Sequence, residues 1–345
     1  FLSLAFLTPL SINIEEYTNA FGLFVPTEPL LFGLMLWLSA LQIKKAFLPA
    51  HLWKSPLIWA ILIYFAWLLV SAITSSHPIV SLKFILARLW FIVPMLFFGS
   101  YFFQKRKNRL IFIWLFIVAS VIVILYTLIH HSFYGFGEKE GHWVMSPFFK
   151  DHTIYGAIVA LILPLAVGLY VYKKHDPLLQ LTLISLITII LIGLVLSYTR
   201  AAWLSVLASV GIAFLLYYKI SWKPLAAIAV LGIGGVLYKW DNIQMELERN
   251  KYEHTTEAFD ERLQSAANIS TDASNLERIN RWSCAMEMFK QRPIVGYGPG
   301  TYAFEYAPFQ RPENLTIIST NFGDMGNAHS EYLGALAETG SIGLL

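Results

Sequence analysis

The chain has 345 residues, of which 57% are hydrophobic and only 14% charged, and its mean hydropathy is +0.58. A soluble domain carries roughly 25% charged residues, so this composition excludes a soluble globular enzyme and a disordered chain alike. A single cysteine, Cys284, excludes a disulfide scaffold and a cysteine-built metal site. The net charge of +3 is small, and the information lies in where the charges fall.

Apolar residues come in long blocks. A helix needs about 20 apolar residues to cross a bilayer, and blocks near that length fall at 28–43, 56–74, 82–103, 110–130, 153–172, 178–198, 201–218 and 224–240. A shorter block opens the chain at 1–10, and another starts near His329. Helices satisfy their own backbone in lipid. The expectation is therefore an all-α polytopic membrane protein with about ten transmembrane helices and a helical domain outside the membrane, which the resemblance given below makes periplasmic. Residues 1–240 form the bundle, 241–328 a large polar loop domain, and 329–345 the start of a tenth span. The chain opens without methionine and stops inside apolar runs, so it reads as a piece.

Loop charges orient the spans. Alternate connections carry Lys44, Lys45 and Lys54; Lys105, Arg106, Lys107 and Arg109; Lys173 and Lys174; Lys219 and Lys223, against one acidic residue, Asp176. The remaining connections carry Glu15, Glu16, Glu138, Glu140 and Asp151. The basic set is expected to face the cytoplasm, and the acidic set, with the stretch 239–328, to face outside. His77, His130, His131, His142, His152, His254 and His329 fall outside or at its edge. Within the long loop, 242–267 has a charged amphipathic pattern, and Ser274 with Glu277 reads as a capping box opening a helix to about Gln291. Pro293 and Gly296-Tyr297-Gly298-Pro299-Gly300 then break it.

Charges at membrane depth mark sites. Each costs about 2.5–3.5 kcal/mol on insertion scales and faces a cavity or a partner. Arg200 closes the span 178–198 and Arg88 lies inside the block 82–103, with Lys83 near its start. Arg278 and Arg281 sit three apart, on one helical face, and two guanidinium forks make a phosphate clamp. The rim residue His329 can titrate near neutrality and take a proton from a hydroxyl. No phosphate-loop, His-Glu-x-x-His or Gly-x-Ser-x-Gly motif occurs. The free amides of the 296–300 glycines suit an anion.

Four places carry a resemblance. They are Ser197-Tyr198-Thr199-Arg200-Ala201-Ala202-Trp203; Pro147-Phe148-Phe149-Lys150-Asp151-His152-Thr153; Glu277-Arg278 to Trp282 with Pro293-Ile294-Val295-Gly296-Tyr297-Gly298-Pro299-Gly300-Thr301-Tyr302; and Asn327-Ala328-His329-Ser330-Glu331-Tyr332-Leu333 with Glu338-Thr339-Gly340-Ser341-Ile342-Gly343. In these the chain resembles the bacterial O-antigen ligase and O-antigen polymerase superfamily. The resemblance implies a type C membrane glycosyltransferase with about a dozen spans, two more than are visible. It implies a polyprenyl (undecaprenyl) pyrophosphate glycan donor at the outer face of the inner membrane. The acceptor would be a hydroxyl of lipid A–core, of a protein, or of a second repeat. No metal, cofactor or nucleic acid is expected, and membrane lipids surround the bundle.

The family's arginine after the seventh span maps onto Arg200, its loop arginine onto Arg278 or Arg281, and its rim histidine onto His329. In these roles the arginines offset charge on the leaving pyrophosphate, while His329 deprotonates the acceptor for a single inverting displacement. Arg88 and Lys83 would hold the second phosphate or a core-sugar phosphate, and Asp151, His152, Gly296, Gly298 and Tyr302 would line the substrate path. The alternative of another class is a flippase for lipid-linked oligosaccharide, which needs the same arginines. A sensor or scaffold is a third.

Overall fold

The computed structural model describes residues 1–15, 22–172, 177–239, 273–315, 319 and 326–344. The amphipathic stretch 242–267, His254, Lys173, Lys174 and Asp176 lie outside the described residues. In chain order the helices are α1 (Leu2–Leu7), α2 (Thr27–Lys45), α3 (Pro56–Ile73), α4 (Pro78–Ile92), α5 (Arg106–Ser132), α6 (His152–Tyr172), α7 (Pro177–Val195), α8 (Arg200–Tyr217), α9 (Trp222–Tyr238), α10 (Ala273–Gln291) and α11 (Glu331–Leu344). A two-residue antiparallel ladder, β1 (Ile12–Asn13) with β2 (Phe24–Val25), precedes α2.

Six helical stretches among the described residues have the length and apolar composition to cross a membrane: Pro56–Ile73, Pro78–Phe102 and α5 to α8. The other expected spans are helical too but shorter or more polar, namely α1, α2, α9 and α11. The outward faces bear the membrane reading out. Trp37, Ile63, Leu207 and Val210 are each more than 60% exposed. In water every such side chain would forgo about 1.5–3 kcal/mol of burial; in hydrocarbon it forgoes almost nothing. The protein is an all-α polytopic membrane protein.

The chain divides into two compact units, Phe1–Ala46 with Val93–Trp222, and Phe47–Ile92 with Lys223–Leu345. The division between residues 92 and 93 falls where α4 gives way to a π-helical stretch, Val93–Phe98. Pro94 explains the stretch: it has no N–H to donate and its ring crowds the preceding turn, so the helix widens there.

The first unit is organised on α6, whose spanning window is 44% buried, against 6% for α8. Tyr155, Val159, Ile162, Leu163 and Ala166 of α6 meet Ile117, Val121 and Ile124 of α5 and Leu183, Ile190 and Leu194 of α7. Two glycines allow the approach. A Cβ on Gly156 would lie 2.7 Å from Thr199 Cβ, and one on Gly193 2.7 Å from Ile124 Cγ2.

In the second unit α11 packs on α3 and α10. Trp67 Nε1 donates to Thr339 O at 2.8 Å, and Ser71 Oγ to Val295 O at 2.7 Å. Cys284, Ala285 and Met288 of α10 bury against Tyr297, Tyr302, Tyr306, Ala328 and Ala337. Burial pushes the Cys284 thiol up to about 12, so it is a packed apolar group rather than a nucleophile. Helix α10 ends at Gln291 as its sequence predicts, but its start differs. Ala273 is already helical, so Ser274 lies inside the helix and is not its cap. Glu277 does not close a capping box either; its carboxylate accepts from Arg281 and Ser319.

Candidate active site

The second unit holds a cavity of about 540 Å³ lined by Tyr64, Phe84, Arg88, Gly300, Tyr302, His329, Glu331 and Glu338, among others. Arg88 thus faces a cavity, as its membrane-depth charge predicts, with its guanidinium 4.4 Å above the Phe84 ring. Among the described residues no carboxylate pairs with it within 4.0 Å. Lys83, on the same helix, is exposed and does not line the cavity.

His329 stands at the entry to α11. Its φ is +48°, an uncommon conformation for a side chain with a Cβ. Asn327 holds it there, its Oδ1 accepting the His329 N–H at 2.9 Å. On α10, Arg281 and Glu277 form a buried ion pair at 2.8 Å, with side chains 9% and 3% exposed. Arg281 Nη1 reaches His329 Nε2 at 3.2 Å and Asn327 O at 3.4 Å. Tyr302 OH donates to the Arg281 main-chain oxygen at 2.7 Å, and its ring stacks on Tyr306 at 5.3 Å. Burial drives the Tyr302 hydroxyl far up, so it stays a neutral donor. Burial, then Arg281 and Arg278, hold the His329 imidazole below the usual histidine value, while Glu277 pulls the other way. Arg278 is exposed on the same helix. The two arginines expected as a clamp are therefore unlike: Arg281 is a buried, paired group on the histidine, and Arg278 a solvent-facing cation.

The glycine loop differs from its sequence reading. Gly296, Gly298 and Gly300 all have positive φ, but their amides are occupied inside the protein. Gly296 N donates to Arg292 O at 3.1 Å, Gly298 N to Glu338 O at 2.8 Å and Gly300 N to Glu338 Oε2 at 2.9 Å. A Cβ on Gly296 would sit 2.3 Å from the Glu338 carbonyl, and one on Gly298 2.0 Å from Ser75 Oγ. Gly296 admits the backbone of α11 and Gly298 the side chains of Ser75 and Ser81, and the free amides expected for an anion are not there. Glu338, which the sequence reading gave no role, also accepts Tyr302 N at 3.1 Å and so ties the glycine loop to α11.

In the first unit, Arg200 opens α8, half-buried, directly after Tyr198 at φ +50° and Thr199. Thr199 Oγ1 donates to His152 O at 2.8 Å. The His152 and His142 rings stack at 4.1 Å. Asp151 Oδ1 accepts Thr153 N at 2.8 Å and Ile154 N at 3.0 Å, capping α6. Burial raises the Asp151 carboxyl, but the bonds from Thr153 and Ile154 outweigh it and leave it below the usual carboxylate value. Asp151 is thus engaged in a helix cap, which accounts for it without a substrate. Aromatic groups close over this corner: Tyr198 OH donates to Phe136 O at 2.9 Å, and Tyr134 and Trp143 meet edge to face at 5.0 Å.

Glu277, Asn327, Glu331 and Glu338 stand in the motifs that carry the resemblance, but the sequence reading gave none of them a role in the site. The spacing of Glu277 and Arg281, one helical turn with the acid first, is the one signal that marked a pair in advance. No curated protein and no solved structure shows a significant match to the chain. The family model described as O-antigen ligase matches residues 183–345, which include Arg200, α10 and the whole His329 segment. The resemblance to the O-antigen ligase and polymerase superfamily is thereby shown, carried by residues 183–345.

Proposed function

We propose that this protein transfers a glycan from a polyprenyl pyrophosphate to an acceptor hydroxyl, lipid A–core in the first instance, at the periplasmic face of the inner membrane. The family supports a glycan-transfer role in lipopolysaccharide synthesis with lipid-linked substrates. One observation carries the finer reading: the cavity that brings His329, Arg88, Glu331 and Glu338 onto one wall system, with Arg281 seated on the histidine. The basic loops on the opposite side of the spans support the periplasmic placement.

The chemistry follows from the groups. The acceptor oxygen attacks the anomeric carbon, and its proton passes to His329. The bond from the anomeric carbon to the phosphate oxygen breaks, and the electron pair leaves with the polyprenyl pyrophosphate. That leaving group needs no strong acid, only cations positioned where its charge grows. Arg88, Arg278 and Arg281 supply these in the second unit; for Arg200, in the first, a phosphate role rests on the resemblance alone. Lys83 extends the positive field of α4 toward the acceptor's own phosphates. One displacement inverts the anomeric centre.

The test is transfer by purified protein in detergent from a polyprenyl-pyrophosphate glycan. Lipid A–core, a hydroxyl-bearing protein and a second donor molecule are offered separately. Transfer to one of them, abolished in His329→Ala, is the expected result and names the subtype. Bound donor with no product on any acceptor would refute the enzyme and favour a flippase.

A further inference from the structure

Arg281 has only donors to offer. Its Nη1 lies 3.2 Å from His329 Nε2, so that nitrogen must carry the lone pair and the imidazole proton must sit on Nδ1. A base whose lone pair is already engaged by a guanidinium cannot receive a proton there, and an imidazolium would face the Arg281 charge directly. In this geometry His329 is oriented but blocked. The backbone around it is set with equal care: φ of +48° is held by Asn327, whose carbonyl also accepts from Arg281. Arg281 itself is fixed from below, since its Nε stays on the buried Glu277 carboxylate at 2.8 Å.

We propose that Arg281 is the positioning residue of this site, holding His329 as the Nδ1–H tautomer with Nε2 occupied and surrendering that bond to the donor's phosphate, so that the base is freed only when the donor is bound. The inference rests on the glycan-transfer reading above. The fork pivots about Nε, which Glu277 retains, and swings Nη1 from the imidazole to a phosphate oxygen. The acceptor's proton then goes to Nε2 as its oxygen bonds the anomeric carbon.

Arg278 and Glu277 on α10 also act on the histidine. Glu331 and Glu338 of α11, Arg88 of α4, Tyr64 of α3 and Tyr302 of the loop line the cavity that it lines. Two of the nearest are cations that depress it; a bound pyrophosphate offsets both, and the imidazole becomes more basic as the donor arrives. Donor hydrolysis in the absence of acceptor is restrained by the same device, since no free base waits beside the pyrophosphate.

The experiment reads the tautomer directly. Full-length protein labelled with 15N-histidine is examined in detergent by NMR, with His329→Gln identifying the resonances, over a pH series, with and without inorganic pyrophosphate. The wild type is expected to show a bare Nε2 and a low titration midpoint that pyrophosphate raises by about one pH unit or more, the effect of offsetting the two nearby cations. Arg281→Lys keeps the charge but not the fork. It should show both tautomers without pyrophosphate, which a purely structural arginine would not cause in a folded variant. A protonated Nε2 in the free wild type, or a midpoint unmoved by bound pyrophosphate, overturns the inference, whether or not the same preparation transfers glycan. If instead the tautomer and the rise are seen but no acceptor is ever glycosylated, it is the glycosyltransferase reading that falls.

Discussion

Gly340 is the residue on which α11 turns, and replacing it with alanine probes whether the site is built as described. Its φ and ψ are +70° and −172°, a region open essentially to glycine alone. A Cβ there would stand 2.0 Å from Ile294 O and 2.9 Å from Pro293 O. Those are backbone atoms, so no side chain can rotate away. Relief requires the 293–294 segment to retreat by about 1.4 Å, from 2.0 Å to the 3.4 Å at which ordinary contact begins, which breaks the bond from Ser341 N to Pro293 O at 2.9 Å. The backbone conformation costs an alanine about 1–3 kcal/mol and the lost bond about 0.5–1.5 kcal/mol. A loss of roughly 3 kcal/mol lowers the unfolding midpoint by about 6–12 °C at ~2–4 °C per kcal/mol. The control is Gly211→Ala in α8, where a Cβ meets nothing within 4 Å. Alanine there should stabilise by about 0.5–1 kcal/mol, through helix propensity. Thermal unfolding of the two variants in the same detergent is the assay. Equal midpoints within about 2 °C would refute the packing of α11 on the 293–298 loop, taking the same scale.

Three further outcomes are expected. Arg200→Ala should abolish glycan transfer while the unfolding midpoint stays within about 2 °C, as for a half-exposed substitution; retained turnover would remove its phosphate role. Because the free-state imidazole of His329 is depressed, it stays neutral as pH falls past the ordinary histidine value near about 6.5. The acid limb of kcat/KM, which reports the free enzyme, should therefore lie below that pH. The limb of kcat, which reports the donor-bound enzyme, should lie higher, and coincident limbs would contradict the release of His329 by the donor. Asp151→Ala should cost about 1 kcal/mol, the value of a helix cap, with donor KM unchanged; a raised KM at unchanged stability would instead make Asp151 a substrate ligand.

The membrane fold was legible because lipid imposes one demand, a run of apolar residues closing its own hydrogen bonds, and α3 to α8 each meet it in sequence. The chemistry-bearing residues were legible for a related reason: Arg88, Arg200 and His329 are polar where polarity is costly, so each announces itself without a partner in view. What they touch was not legible. Gly296, Gly298 and Gly300 read as an anion loop because local sequence shows only their freedom, whereas their neighbours Glu338 and Ser75 lie some 40 and 220 residues away. Glu277 read as half of a capping box because the motif fits; with Ala273 already helical, the carboxylate lies inside the helix one turn before Arg281, where the ion pair takes it. Arg278 and Arg281 share a helical face by spacing, yet three residues are 300° around the axis, and that offset suffices to bury one beside His329 and leave the other in solvent.

Glu338 decides how the two C-terminal motifs act together. Its carboxylate oxygens each accept one loop amide, from Gly300 and Tyr302, and its main chain accepts Gly298 N and Ser71 Oγ. The glycine loop and the helix after His329 are therefore one structure, closed by one side chain that also lines the cavity with Arg88. Glu338→Gln separates its two effects. The amide keeps one acceptor and turns an NH₂ toward the second loop N–H, which leaves a buried donor unmet at about 1–3 kcal/mol, so stability should fall. The cavity meanwhile loses a negative charge that opposes an incoming anion. Removing such a charge from a partly solvated site is worth about 1 kcal/mol, roughly fivefold in affinity. Inorganic pyrophosphate should thus bind more tightly to a less stable protein, two changes of opposite sign that a merely damaged site does not produce. Weaker binding in a variant that still folds would mean that the anion sits elsewhere, and the phosphate would have to be moved away from Arg88.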